Sequence, residues 1–182
     1  MPLYAFENHE PRIDPSAFVH PDAVLIGAVT VGARASIWPA AVLRADFGRI
    51  DIGARTSIQD GTVLHTTEQW PTVVGADCVI GHNVHGEGCL IEDRCLIGSG
   101  AVVLNRAVVR TGAVVGAAAL VPEGMEVPTE HLALGVPARP RPVDPARLTA
   151  MVDFGVGEYL AISDRYRRGL RRLDRPEEPR HG

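Results

Sequence analysis

Aliphatic side chains recur every six residues along most of this sequence, and no other feature limits its fold so tightly. One series runs Val19, Leu25, Val31, Ile37, Leu43; two shorter ones are Ile52, Ile58, Leu64 and Val74, Ile80; the last is Ile91, Ile97, Val103, Val109, Val115, Val121. Four residues after each aliphatic the side chain is small: Ala23, Ala35, Ala41, Thr56, Thr62, Cys78, Cys95, Ala101, Ala107, Ala113 and Ala119, with Val29 and Val84 the bulkiest. A period of six matches neither the alternation of an ordinary strand nor the turn of a helix. It fits a chain in which each hexad is one short strand and a corner. Three hexads then close a triangular coil, and coils stacked roughly 4.8 Å apart share an interior that no single coil can bury. Glycine follows the aliphatic at Gly32, Gly53, Gly75, Gly81, Gly98 and Gly116, where the corner backbone needs freedom. An antiparallel sandwich fits less well, because its turn signals would fall about every eight to twelve residues. Aromatic residues make up only 5% of the chain, as a narrow prism filled by small side chains requires.

The expected architecture is therefore all-β, a parallel β-helix over residues 1–142 with a lead-in at 1–18, followed by a C-terminal α-helix. The repeat is expected to stop past Pro122, and Gly135-Val136-Pro137-Ala138 with Pro140 and Pro142 reads as a connector without regular structure. An amphipathic helix is expected over residues 143–175, with Asp144 as N-cap and Pro145 at the first helical position. Its apolar period runs through Leu148, Met151, Val152, Tyr159, Ile162, Tyr166, Leu170 and Leu173, and Gly155 and Gly157 should weaken it. Residues 176–182 are expected to be disordered.

A formal net charge of −4 argues against a nucleic-acid partner, and the basic cluster from Arg165 to Arg172 reads as a solvated helix face. No apolar run is long enough for a membrane span, and Met1 to Pro11 lacks the pattern of a signal peptide, so a cytoplasmic location is expected. Cys78, Cys89 and Cys95 have no paired Cys-x-x-Cys spacing and read as small buried thiols.

Polar residues interrupt the repeat at four places: Arg44-Ala45-Asp46, Gln59-Asp60, His65, and the segment from His82 through His85 to Glu87. Counting hexads modulo three puts those starting at Leu43, Leu64 and Gly86 on one wall of the prism. Arg44, His65 and Glu87 then form an outward column at roughly 4.8 Å spacing, while Gln59, Asp60 and His82 belong to the preceding wall. His85 is placed at the corner of that preceding wall. His65 and Glu87 are thus neighbours in one subunit, whereas His82 would more easily meet the pair of a neighbouring subunit. Such a site needs an oligomer, and closed threefold symmetry suits a triangular prism.

The order Arg44-x-Asp46, Gln59-Asp60, His65 and His82, with Gly88-Cys89 following the last site position, resembles the gamma-class carbonic anhydrases, hexapeptide-repeat proteins, from about Ile13 to Arg139. The resemblance implies a left-handed coil and a homotrimer. It also implies one divalent metal per subunit interface, zinc first and iron(II) or cobalt as alternatives, which lowers the pKa of a water to roughly 7 for attack on carbon dioxide. His65 and His82 would be ligands. The family's third histidine is replaced by Glu87, and His85 lies two residues earlier as an alternative ligand. Two histidines and a carboxylate remain a workable catalytic set. By the same resemblance Gln59 would hydrogen-bond the bound water or bicarbonate and Asp60 would support it. Arg44 and Asp46 would hold the trimer together or orient the ligands. Two other functions fit the chain: an acyltransferase that takes acyl-coenzyme A and uses a histidine as general base, and a trimeric metal-binding scaffold without activity.

Overall fold

The structure is a computed structural model, and it describes residues 1–174. The chain coils into a triangular prism whose three walls are parallel sheets, each with seven stacked strands. The first wall contains Leu3–Tyr4, the leading parts of Val24–Val31 and Val42–Ile52, then Val63–His65, His85–Glu87, Val102–Val103 and Leu120–Val121. The second wall takes Arg12–Ile13, the trailing parts of the same two long strands, then Thr72–Val74, Leu90–Ile91, Val108–Val109 and Glu126–Val127. Phe18–Val19, Ser36–Ile37, Ser57–Ile58, Val79–Ile80, Leu96–Ile97, Val114–Val115 and His131–Leu134 make the third.

Both expected interior positions are buried. Leu25, Ile37, Leu43, Ile58, Leu64, Ile80, Ile91 and Ile97 have no exposed surface, and Ala23, Ala35, Cys78, Cys95 and Ala101 fill the corners beside them. Burying each large aliphatic stabilises the fold by about 1.5–3 kcal/mol relative to exposure. The three cysteines are free and buried; burial pushes the Cys89 thiol up to about 12, which leaves it a packing group rather than a nucleophile.

The repeat runs one coil further than expected. Val127 and Ala133 continue the six-residue spacing and are fully buried; Met125 and His131, in the small-residue position, disguise the continuation. The proline-rich stretch also differs from expectation, because Arg139–Pro142 forms an antiparallel edge strand on His131–Leu134. Pro140 and Pro142 fall on the same parity, so the N–H groups they lack face away from the ladder. The lead-in is itself part of the stack, through Leu3–Tyr4 and Arg12–Ile13 pairing with Val24–Val31. Corners demand a left-handed backbone from ordinary residues as well as from glycine: Arg34, Arg55, Asp77 and Arg94 all have φ between 55° and 58°. The stacked coils must offset that local cost of roughly 1–2 kcal/mol each.

Helix α1 spans Pro145–Gly169, six residues short of the expected end at 175. The Asp144 carboxylate accepts from the Ala146 N–H and caps it. At about 1.5 Å per residue α1 spans the whole stack, and it runs back along the third wall. Leu148, Val152 and Val156 bury against Val79 and Val114. Gly155 does not weaken the contact but permits it, since a Cβ there would lie 3.0 Å from Val79 Cγ2. Met151, Leu170 and Leu173, expected on the apolar face, are exposed. Lower down, Phe18, Trp38, Tyr159 and Tyr166 form a ring cluster with centroids 5.1–5.8 Å apart. The expected disordered tail at 176–182 lies outside the described residues. Among the described residues no helix is long and apolar enough to cross a membrane.

Candidate active site

The polar interruptions gather at the two edges of the first wall, where the hexads are least regular. At its leaving edge the long strand Val42–Ile52 carries extra residues after Ala45, visible as a register shift opposite Gly27 and Val29. One coil on, the insertion from Thr66 to Pro71 packs over it, with Gly48 tight against Thr66 and Thr67. The expected column is present: Arg44 pairs in register with His65, and His65 with Glu87.

His65 sits between two carboxylates, with Asp46 Oδ1 3.0 Å from Nε2 and Glu87 Oε1 3.1 Å from Nδ1. Arg44 forms a close ion pair with Asp46. Burial raises the Asp46 pKa, but hydrogen bonds from Arg44 and His65 outweigh it and hold the carboxyl below its usual range. Carboxylate oxygens only accept. A neutral His65 ring can donate to only one of them, whereas the imidazolium form donates to both. His85 corrects the expected placement. It stands on the first wall in register with Val63 and Val102, on the same strand as Glu87, and its Nε2 lies 3.6 Å from Glu87 Oε2.

At the entering edge, Asp60 and His82 follow the third-wall strands in successive coils. Asp60 Oδ2 is 2.9 Å from His82 Nδ1, an ion-pair contact that leaves Nε2 on the side away from the carboxylate. Both side chains are about half exposed, at 46% and 45%. Gln59 is buried beside them. The Tyr159 hydroxyl, from α1, lies 3.4 Å from His82 Nε2. Burial first, and the Asp60 charge second, raise its pKa, so the phenol stays a donor. Asp60 and Tyr159 also line a cleft of about 400 Å³ between α1 and the prism, with Trp38, Glu158, Arg165 and Tyr166. Sequence reasoning gave Tyr159 only a packing role, and nothing in the chain's order ties it to a histidine 77 residues away. It also passed over Phe47, which is 61% exposed and presents its ring edge-on to His65 at 6.0 Å.

The two edges do not meet within one subunit. Among the described residues no three His, Cys, Asp or Glu side chains converge where an ion could sit. The donor chemistry nevertheless suits a cation shared between subunits. Each histidine has one nitrogen braced by a carboxylate, and His65 Nδ1 and Glu87 Oε1 stand about as far apart as two ligands of one tetrahedral ion.

No protein-family model matches the chain. Among curated proteins it is 48% identical over 98 residues to the carnitine operon protein CaiE of Escherichia coli K12, a match covering 54% of this chain and 50% of that protein. The chain thus aligns with about half the length of the curated relatives it matches. Among solved structures, a hexapeptide transferase family protein from Anaplasma phagocytophilum superposes with a TM-score of 0.87 and 33% identity over 91% of this chain and 98% of the other. A proposed acetyltransferase from Bacillus cereus gives a TM-score of 0.89 and 32% identity over 91% and 96% of the two chains. With relatives this similar over nearly their whole length, the chain belongs to the hexapeptide-repeat family of left-handed β-helix proteins.

Proposed function

We propose that the protein is a homotrimeric acyltransferase that takes its acyl group from acyl-coenzyme A. In this reading the reaction centre forms where the His82 edge of one subunit meets the His65 edge of the next. The observation that carries it is the Asp60–His82 pair, whose Nε2 faces the Tyr159 hydroxyl beside a cleft that Asp60 and Tyr159 line. The names of the two long structural relatives point to the same class of reaction.

Asp60 holds His82 in the tautomer that can accept a proton. An acceptor hydroxyl or amine that takes Tyr159's place at Nε2 loses its proton to His82 as its oxygen or nitrogen attacks the thioester carbonyl. The C–S bond breaks, and the thiolate of coenzyme A leaves with the proton from His82. A positioned base of this kind contributes about 10²- to 10⁴-fold. The test is release of free thiol from acetyl-coenzyme A across a panel of hydroxyl and amine acceptors. His82→Ala should lower the rate by that factor while acetyl-coenzyme A still raises the melting temperature. No thiol release with any acceptor, together with no thermal shift, would overturn the proposal.

A second reading is favoured by the bracing of both histidines. His65, Glu87 and the neighbour's His82 would hold one divalent metal, with Asp46 and Asp60 orienting the rings and Gln59 beside them. A metal so held supplies an acidic water, the chemistry of carbon dioxide hydration. This reading requires metal near one equivalent per chain and hydration activity that His65→Ala abolishes; a protein that takes up no zinc, iron(II) or cobalt when these are supplied, and hydrates carbon dioxide no faster than buffer, rules it out.

A further inference from the structure

The trimer proposed above makes a demand on a part of the molecule that neither reaction uses. Asp60 and His82 stand at the entering edge of the first wall, and Asp46, His65 and Glu87 at its leaving edge. For the edges of adjacent subunits to meet all round, the three first walls must enclose the threefold axis. The wall from Asp60 to His65 is roughly 16 Å wide at about 3.3 Å per residue, and with room for the side chains that meet at its edges the axis would lie on the order of 5–8 Å from the middle of each wall. An imidazole mounted at mid-wall can span that gap.

The outward column at mid-wall is Val24, Val42, Val63, His85, Val102 and Leu120, in continuous register. Five members are aliphatic, as a stacked, dehydrated axis would want. His85 alone is polar. Three copies of this imidazole brought together at the axis, each with one nitrogen turned to its own Glu87, leave their remaining nitrogens to share a partner.

We infer that the three His85 side chains of the trimer form a divalent transition-metal site on the threefold axis, separate from the reaction centres. Three neutral imidazoles are a standard zinc, cobalt or nickel set with a fourth position left for water. Glu87 supplies what such a site needs around it. Its Oε2 lies 3.6 Å from His85 Nε2, so that nitrogen faces the carboxylate and Nδ1 is left for the metal. Three Glu87 carboxylates also compensate the charge of a dication in apolar surroundings. The same carboxylate reaches His65 through Oε1 at 3.1 Å, so the axial ion is linked to each reaction centre by one side chain.

The inference rests on the trimer, so the experiment measures mass and metal together. The full chain is stripped with chelator, titrated with Co(II), and followed by visible absorption, metal content and light scattering. A trimer should retain about one-third of an equivalent of Co(II) per chain that survives His65→Ala and disappears in His85→Val, a substitution that completes the apolar column and should preserve the trimer. Glu87→Gln should weaken that ion about 10- to 100-fold. A monomeric wild type overturns the trimer and this site with it. A wild-type trimer whose metal content His85→Val leaves unchanged overturns the axial site alone, and thiol release from acetyl-coenzyme A reports separately on the acyltransferase reading.

Discussion

The first and third walls obey the same interior rule and differ on the outside. On the third, the outward column of Val79, Leu96, Val114 and Leu132 is covered by α1 of the same chain. On the first, the equivalent column is nearly as aliphatic, but among the described residues no helix covers it, and Val63 is 38% exposed. A polar band crosses it at the level of Arg44, His65, His85 and Glu87. The chain thus carries its own cover for one face, the proposed trimer would cover the other with a second copy, and its ionisable groups lie on and beside the face left open. The largest effect should come from breaking that division. Val63→Glu places a charge at the centre of the open wall and should convert the trimer to monomer by light scattering, with the circular dichroism of the prism unchanged. Val79→Glu, the same change on the covered wall, should leave the trimer's mass alone and cost stability by undocking α1.

Next in size is the cover itself. Leu148 is 1% exposed, and Leu148→Ala should cost about 2–5 kcal/mol in denaturant unfolding. Because α1 forms one side of the cleft beside His82, through Tyr159, Arg165 and Tyr166, a loosened helix should slow turnover there while leaving metal content intact. Asp144→Ala, which removes the cap 15 residues before Tyr159, should cost only about 1 kcal/mol and leave turnover unchanged. Equal losses of rate in the two variants would mean that α1 acts on the site through global stability rather than through Tyr159.

The same contrast marks what the sequence made legible. The prism could be read because each interior position is set by its own hexad, without knowledge of distant residues. The column of Arg44, His65 and Glu87 followed from counting hexads across two irregular stretches, and the register pairs confirm it. Contacts between α1 and the third wall could not be read this way. They depend on which face of the helix docks, and Met151 and Leu170 fit the helical period as well as Val156, which is buried. His85 was misplaced because Gly86 fills the aliphatic position of its hexad. With no side chain there, space beside Leu64 Cδ2 is taken by backbone alone, and the start of the strand has no apolar marker. The last coil was missed for a similar reason, with Met125 and His131 where small residues are the rule.

The smallest effect concerns the polar band, and pH resolves it. Asp46 is held below its ordinary value of 3.8 against the opposing effect of burial, because Arg44 and His65 hydrogen-bond the carboxylate. A carboxyl with a depressed folded-state pKa stabilises the fold above its unfolded pKa and loses that contribution as pH falls through the folded value. The loss from this group should therefore begin near pH 4 and continue below it. The contact is partly solvated, so the effect is modest. Asp46→Asn keeps the shape and removes the titration: its unfolding midpoint should fall less steeply with acid than that of the wild type below about pH 4, and the two should run parallel above pH 5. On the third wall the described ion pairs to α1, Arg94–Asp153 and Arg34–Asp164, lie at exposed corners away from Val79, so Val79→Ala should lower the midpoint by about the same amount at every pH. If Asp46→Asn behaved in that uniform way too, Asp46 would be acting through packing, and the polar band would be no different in kind from the apolar face that α1 covers.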